Sequence, residues 1–213
     1  MTESATPQPA TTPTETPRRR APGMSTEQRR EMILQTALPL VAEYGSKVTT
    51  AQIARAAGIG EATVFRVFAD KDELLRAVVK RAMDPTNVLQ HLETIALEQP
   101  LADRLVEAAE TLEAHLGRMG AVIGSLHSTG HPMQRSATPD ALRSASTGRE
   151  QSQAATLAAV AELFEPERDQ LRLAPQKAAA VFLTFAFTRG RSPLTPDVTV
   201  NELVDLFLHG ALT

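Results

Sequence analysis

The chain has 213 residues, of which 42% are apolar and only 4% aromatic; its formal net charge is −3 and it has no cysteine. Disulfides, thiol redox sensing and cysteine-based zinc fingers are thereby excluded. No apolar run reaches the ~18 residues a membrane span needs, and no N-terminal stretch reads as a secretory signal, so a cytoplasmic protein without a membrane partner is expected.

Aliphatic residues and alanine must build the core. Their spacing repeats mostly at three and four residues, which predicts an all-α protein. Charge is unevenly spread: residues 18–83 carry 12 Lys/Arg against 7 Asp/Glu, whereas residues 84–213 carry 10 against 16. That split predicts a small basic DNA-binding head on a larger acidic body that does not touch DNA. The divisions fall at 1–23, 24–83 and 84–213.

Residues 1–23 are rich in Thr and Pro and poor in large apolar side chains, so they are expected to be a disordered tail. The tail ends in Arg18, Arg19 and Arg20, and arginines on a flexible arm can enter a minor groove. A first helix is expected from Ser25, where Ser25-x-x-Gln28 forms a capping box and Ile33, Ala37, Leu40, Val41 and Tyr44 form an apolar stripe. Pro39 should kink it, and Gly45 should end it.

A second helix is expected over Thr50–Ala57, capped by Thr49-x-x-Gln52, with Gly58 supplying a left-handed turn. A third follows over Glu61–Phe68, and a fourth opens at Asp70-x-x-Glu73. Ala54 is the small residue placed at the helix crossing, and Ile53, Ala57, Ile59, Val64 and Phe68 can close a small core over the turn. Gly60, Glu61, Ala62, Thr63 and Arg66 are left on the outer face and N-terminal end of the third helix, from which side chains reach base edges. Lys71 places a cation in the first turn of the fourth helix, against the macrodipole, and an external phosphate would satisfy both.

This stretch resembles the TetR (tetracycline repressor) family over about residues 26–80. The carrying motifs are T-T-x-x-I-A-x-x-A-G-I at 49–59, x-x-T-V-F-x-V-F at 61–68 and D-K-D-E-L-L at 70–75. The resemblance implies an N-terminal three-helix helix-turn-helix domain, a larger helical ligand-binding and dimerisation domain, and a repressor acting as a homodimer on a palindromic operator. It implies a phosphate contact for Thr50 and Lys71, and major-groove positions for Glu61, Ala62, Thr63 and Arg66. Two positions depart from the family pattern. Phe65 stands where a Tyr commonly reaches a phosphate, so it is expected to pack instead. Gly60 stands where Ser is common, which weakens the cap.

Further helices are expected over 86–97, 101–117, 119–128, 139–164, 175–190 and 199–211, the last capped by Thr199-x-x-Glu202. The 175–187 stretch is apolar on nearly its whole circumference, which predicts burial on all sides. By position the last two helices resemble the family's dimer-forming pair, implicating Phe182, Phe187, Leu203, Leu206, Phe207 and Gly210. A pocket for an apolar or amphipathic effector is expected among Leu112, Leu116, Met119, Ile123, Leu126, Met133 and Phe185. His115, His127 and His131 are a weak metal pattern, and no metal or cofactor is expected. No GxSxG, P-loop, HExxH or GxGxxG is present, so no enzyme is expected. The alternative to a DNA-binding regulator is a helical ligand-binding or scaffold protein whose motif does not read DNA.

Overall fold

Three of the four N-terminal helices start on a side-chain cap within the computed structural model, which describes residues 24–130, 139–189 and 198–211. Ser25 and Gln28 close a full capping box on α1 (Thr26–Tyr44), and Thr49 and Gln52 do the same for α2 (Thr50–Ala56). Asp70 caps α4 (Lys71–Ala82), its Oδ1 accepting from the Glu73 amide at 2.7 Å. Each cap satisfies amides that an α-helix otherwise leaves open. The exception is α3 (Glu61–Val67), where Gly60 offers no side-chain hydrogen bond.

Pro39 lies within α1 without ending it. The buried stripe of α1 is Ile33, Leu34, Ala37 and Val41; Tyr44, expected in that stripe, is 42% exposed. Beyond α1 the chain makes a 3-10 turn, Gly45–Lys47, with Gly45 at φ +58°.

The body holds α5 (Thr86–Thr94), α6 (Leu101–Ser128), α7 (Pro139–Glu162), α8 (Pro175–Thr188) and α9 (Val200–Ala211), with a second 3-10 stretch at Glu165–Gln170. The two helices expected over 101–117 and 119–128 are one continuous helix, α6. Gly117 and Gly120 are exposed and cost α6 about 1 kcal/mol each relative to alanine, which the packing of so long a helix outweighs.

Two cores form. One fills the head with Ile33, Ile53, Val64, Phe68, Leu74 and Val78, and it also takes in Val122 and Leu126 of α6. The head bounded at 24–83 thus does not close its own core; the C-terminal end of α6 completes it. The body core centres on Phe164, Phe182 and Phe207, which meet edge to face at centroid distances of 5.5–6.3 Å. Arg104, fully buried, donates to the Leu97 carbonyl at 2.8 Å and pairs with Glu167, tying the α5–α6 loop to the second 3-10 stretch.

Candidate nucleic-acid interface

The turn between α2 and α3 is built by backbone. The Ile59 amide donates to the Ala54 carbonyl at 3.0 Å and the Gly58 amide to the Arg55 carbonyl at 3.1 Å. Gly58 takes φ +67°, a conformation that glycine adopts without a Cβ penalty. Ala54 is 2% exposed, small enough for the two helices to cross closely.

Val64 is the buried residue of α3, and Phe68 buries itself directly after it. Glu61, Ala62 and Arg66 are exposed, and Thr63 is half-buried. Phe65 corrects the expectation of a packing residue: it is 49% exposed and lies one turn beyond Glu61 on the outer face. The reason is geometric, since Val64 and Phe68, four residues apart, already fill the inward face of this short helix. Phe65→Ala is therefore expected to lower stability by less than about 1 kcal/mol, while Phe68→Ala costs about 3–5 kcal/mol. Urea unfolding of the two variants checks this; equal losses would place Phe65 in the core.

Thr50, the first residue of α2, and Glu61, the first of α3, are joined: Thr50 Oγ1 donates to Glu61 Oε1. Lys71 Nζ donates to the Ser46 carbonyl at 2.6 Å. The Lys71 ammonium, expected to need an external anion, thus has a partner within the chain. A carbonyl satisfies one of its three N–H donors but brings no negative charge to offset its own.

Arg30 was not legible in the sequence as part of the site. Its guanidinium lies 4.4 Å from the Phe68 ring centroid, donates to the Val67 carbonyl at 3.4 Å and pairs with Glu73 at 3.6 Å. It grips the C-terminal end of α3 from α1, across 37 positions of sequence. No local pattern encodes a contact of that separation.

The head meets the body at the first 3-10 turn. The Ser46 amide donates to Thr129 Oγ1 at 2.8 Å, and Ser46 Oγ donates to the Thr129 carbonyl at 3.1 Å. Arg18, Arg19 and Arg20 lie outside the described residues.

The body sites expected from sequence fall in three places. Leu112 is in the body core and Leu126 in the head core; Leu116, Met119 and Ile123 are half-buried along α6, and Met133 lies outside the described residues. The α8 helix is not buried all round, since Val181 and Phe185 are 40% and 51% exposed. With Leu206, 77% exposed, they line a groove of about 460 Å³ between α8 and α9 that Leu173 and Arg172 also border. Phe185 thus belongs to this outer groove instead of an inner pocket. Phe182, fully buried, is core and cannot face a partner directly; Leu203 and Phe207 form the groove floor, and Phe187 packs half-buried on the body core. Side-chain surroundings at Gly210 are outside the described residues. His127 is exposed; burial pushes the half-buried His115 imidazole below its usual range, and His131 lies outside the described residues.

A helix pair around a positive-φ glycine, its second helix exposed along one face, is the arrangement of a helix-turn-helix. Residues 33–78 match the family model described as bacterial regulatory proteins, tetR family. The fold of the chain is similar to solved TetR-type regulators. One from Thermobifida fusca aligns at 20% identity and TM-score 0.54 over 85% of this chain and 97% of that one. One from Streptomyces coelicolor aligns at 22% and 0.52 over 88% and 80%. A transcriptional regulator from Rhodococcus aligns at 20% and 0.52 over 85% and 97%. Residues 33–78 are thus similar to the DNA-binding segment of tetR-family regulators, in a chain whose fold is similar to theirs.

Proposed function

We propose that the chain is a ligand-responsive repressor, with a DNA-binding head over 24–83 and an effector and dimerisation body over 84–213, working in the cytoplasm. The observation that carries the reading is the outer face of α3. Glu61, Ala62, Phe65 and Arg66 stand exposed on a helix whose other face is anchored in the head core. One head covers a half-site, so a palindromic operator calls for a twofold dimer. The apolar groove between α8 and α9 supplies a surface for it, with Leu206 and Phe185 most exposed.

Arg66 is assigned to base readout, since a guanidinium pairs bidentately with guanine. Lys71 is assigned to a phosphate, along with the arginines at 18–20 if the tail reaches DNA. An apolar or amphipathic effector bound among the helices between 86 and 187 acts only through unequal affinity for the DNA-bound and free geometries.

Gel shift against genomic fragments, in the presence of competitor DNA, tests the reading; binding that never rises above the non-specific level favours a helical scaffold. On the operator so found, Arg66→Ala is expected to cost about 1–3 kcal/mol, with little loss on random DNA. Lys71→Ala is expected to weaken binding on both and to lower the salt slope by about one. Equal losses from Arg66→Ala on both DNAs would make it a phosphate contact.

A further inference from the structure

We infer that Glu61 selects cytosine in each half-site and that Thr50 is its positioning residue, an inference resting on the DNA-binding reading above. Glu61 is exposed on the outer face of α3, and among the described residues its side chain has one partner, the Thr50 hydroxyl. A carboxylate at a DNA surface is repelled by phosphates and can only accept hydrogen bonds. In the major groove the amino donors are cytosine N4 and adenine N6. Adenine sets its N7 acceptor beside that amine and so repels a carboxylate, whereas cytosine has no acceptor beside N4 on its groove edge. Glu61 therefore favours cytosine and opposes bases that offer it only acceptors.

The Thr50 contact decides how Glu61 is presented. A threonine hydroxyl has a single proton to donate. While it is given to Glu61 Oε1, it cannot also go to a phosphate, and Glu61 Oε2 is left to meet a base. Thr50 thus acts through Glu61, spanning the two helices of the motif, in place of the phosphate contact that the family resemblance implied.

The test is selection from a pool of randomised double-stranded oligonucleotides by the full chain, followed by competition at each position. Wild type is expected to prefer cytosine at one position per half-site by about 5- to 100-fold. Glu61→Ala loses that preference at that position alone, and it tightens binding to random duplex because a charge repelled by phosphate is gone. Glu61→Gln moves it to adenine, because an amide both donates to N7 and accepts from N6. Thr50→Val lowers the cytosine preference, and Thr50→Ser, which keeps the hydroxyl, retains it. Circular dichroism confirms that each variant is folded. Unchanged base preference in Glu61→Ala overturns the assignment. Equal weakening of all duplexes by Thr50→Val overturns the positioning role and returns the hydroxyl to a phosphate. Failure of wild type to select any sequence is a different result, and it removes the DNA-binding reading itself.

Discussion

Leu206→Asp is expected to leave the protein a folded monomer at micromolar concentration and to lower its affinity for a palindromic operator by about 100- to 10,000-fold. Leu206 is 77% exposed on α9, so the change removes little packing within its own subunit. The phenylalanine triad beneath it closes the body core without help from the surface. In a dimer built on the groove, the new carboxylate would be buried against apolar Val181 and Phe185 with no partner, a cost of several kcal/mol. With dimerisation lost, the second half-site no longer binds as an intramolecular event, and the avidity disappears. Sedimentation velocity reads the mass, circular dichroism the helix content and gel shift the affinity. A variant that remains dimeric and binds like wild type would move the interface away from α8 and α9.

Gly45→Ala is expected to destabilise the protein by roughly 2–6 kcal/mol, a large share of the ~5–15 kcal/mol typical of a folded domain. Gly45 sits at φ +58° and ψ −137°, a region that residues with a Cβ rarely adopt, at a cost of about 1–3 kcal/mol. A Cβ there would stand 2.4 Å from the Ser125 carbonyl oxygen and 2.4 Å from Thr129 Oγ1, at the end of α6. Relieving that overlap moves α6 backbone away from the head, for about 1–3 kcal/mol more. Gly58→Ala is the control: it has a similar φ of +67° but nothing within 4 Å of its added Cβ. Its loss should be about 1–2 kcal/mol from backbone alone. The shift in urea midpoint for each variant gives the comparison. Equal losses at the two glycines would mean that α6 yields freely and that the close approach carries no energy.

The same close approach shows where reading the sequence runs out. Gly45 is recognisable in the sequence as a helix terminator, but its contact with Ser125 joins residues far apart in the chain. The Ser46–Thr129 hydrogen bonds span 83 positions and the Arg30–Val67 contact spans 37. Contacts of that separation have no periodicity to betray them. Phe65 shows a related limit: aromatic identity suggests burial, yet one short helix has only one inward face, and Val64 and Phe68 occupy it. In the body, the apolar circumference of α8 reads alike for a buried helix and for one half-covered by its own subunit.

What the amino-acid order determines by itself is local. Capping residues start α1, α2, α4 and α9, Gly58 sets the turn, and the period of apolar positions makes the chain helical. These follow from interactions among residues three or four apart, which the order of residues states outright. Tertiary structure decided that α6 completes the head core, that Phe182 is core while Phe185 and Leu206 face outward, and that Thr50 holds Glu61. Those outcomes depend on which side chains reach a shared space first and fill it, and that competition is settled only when the helices pack.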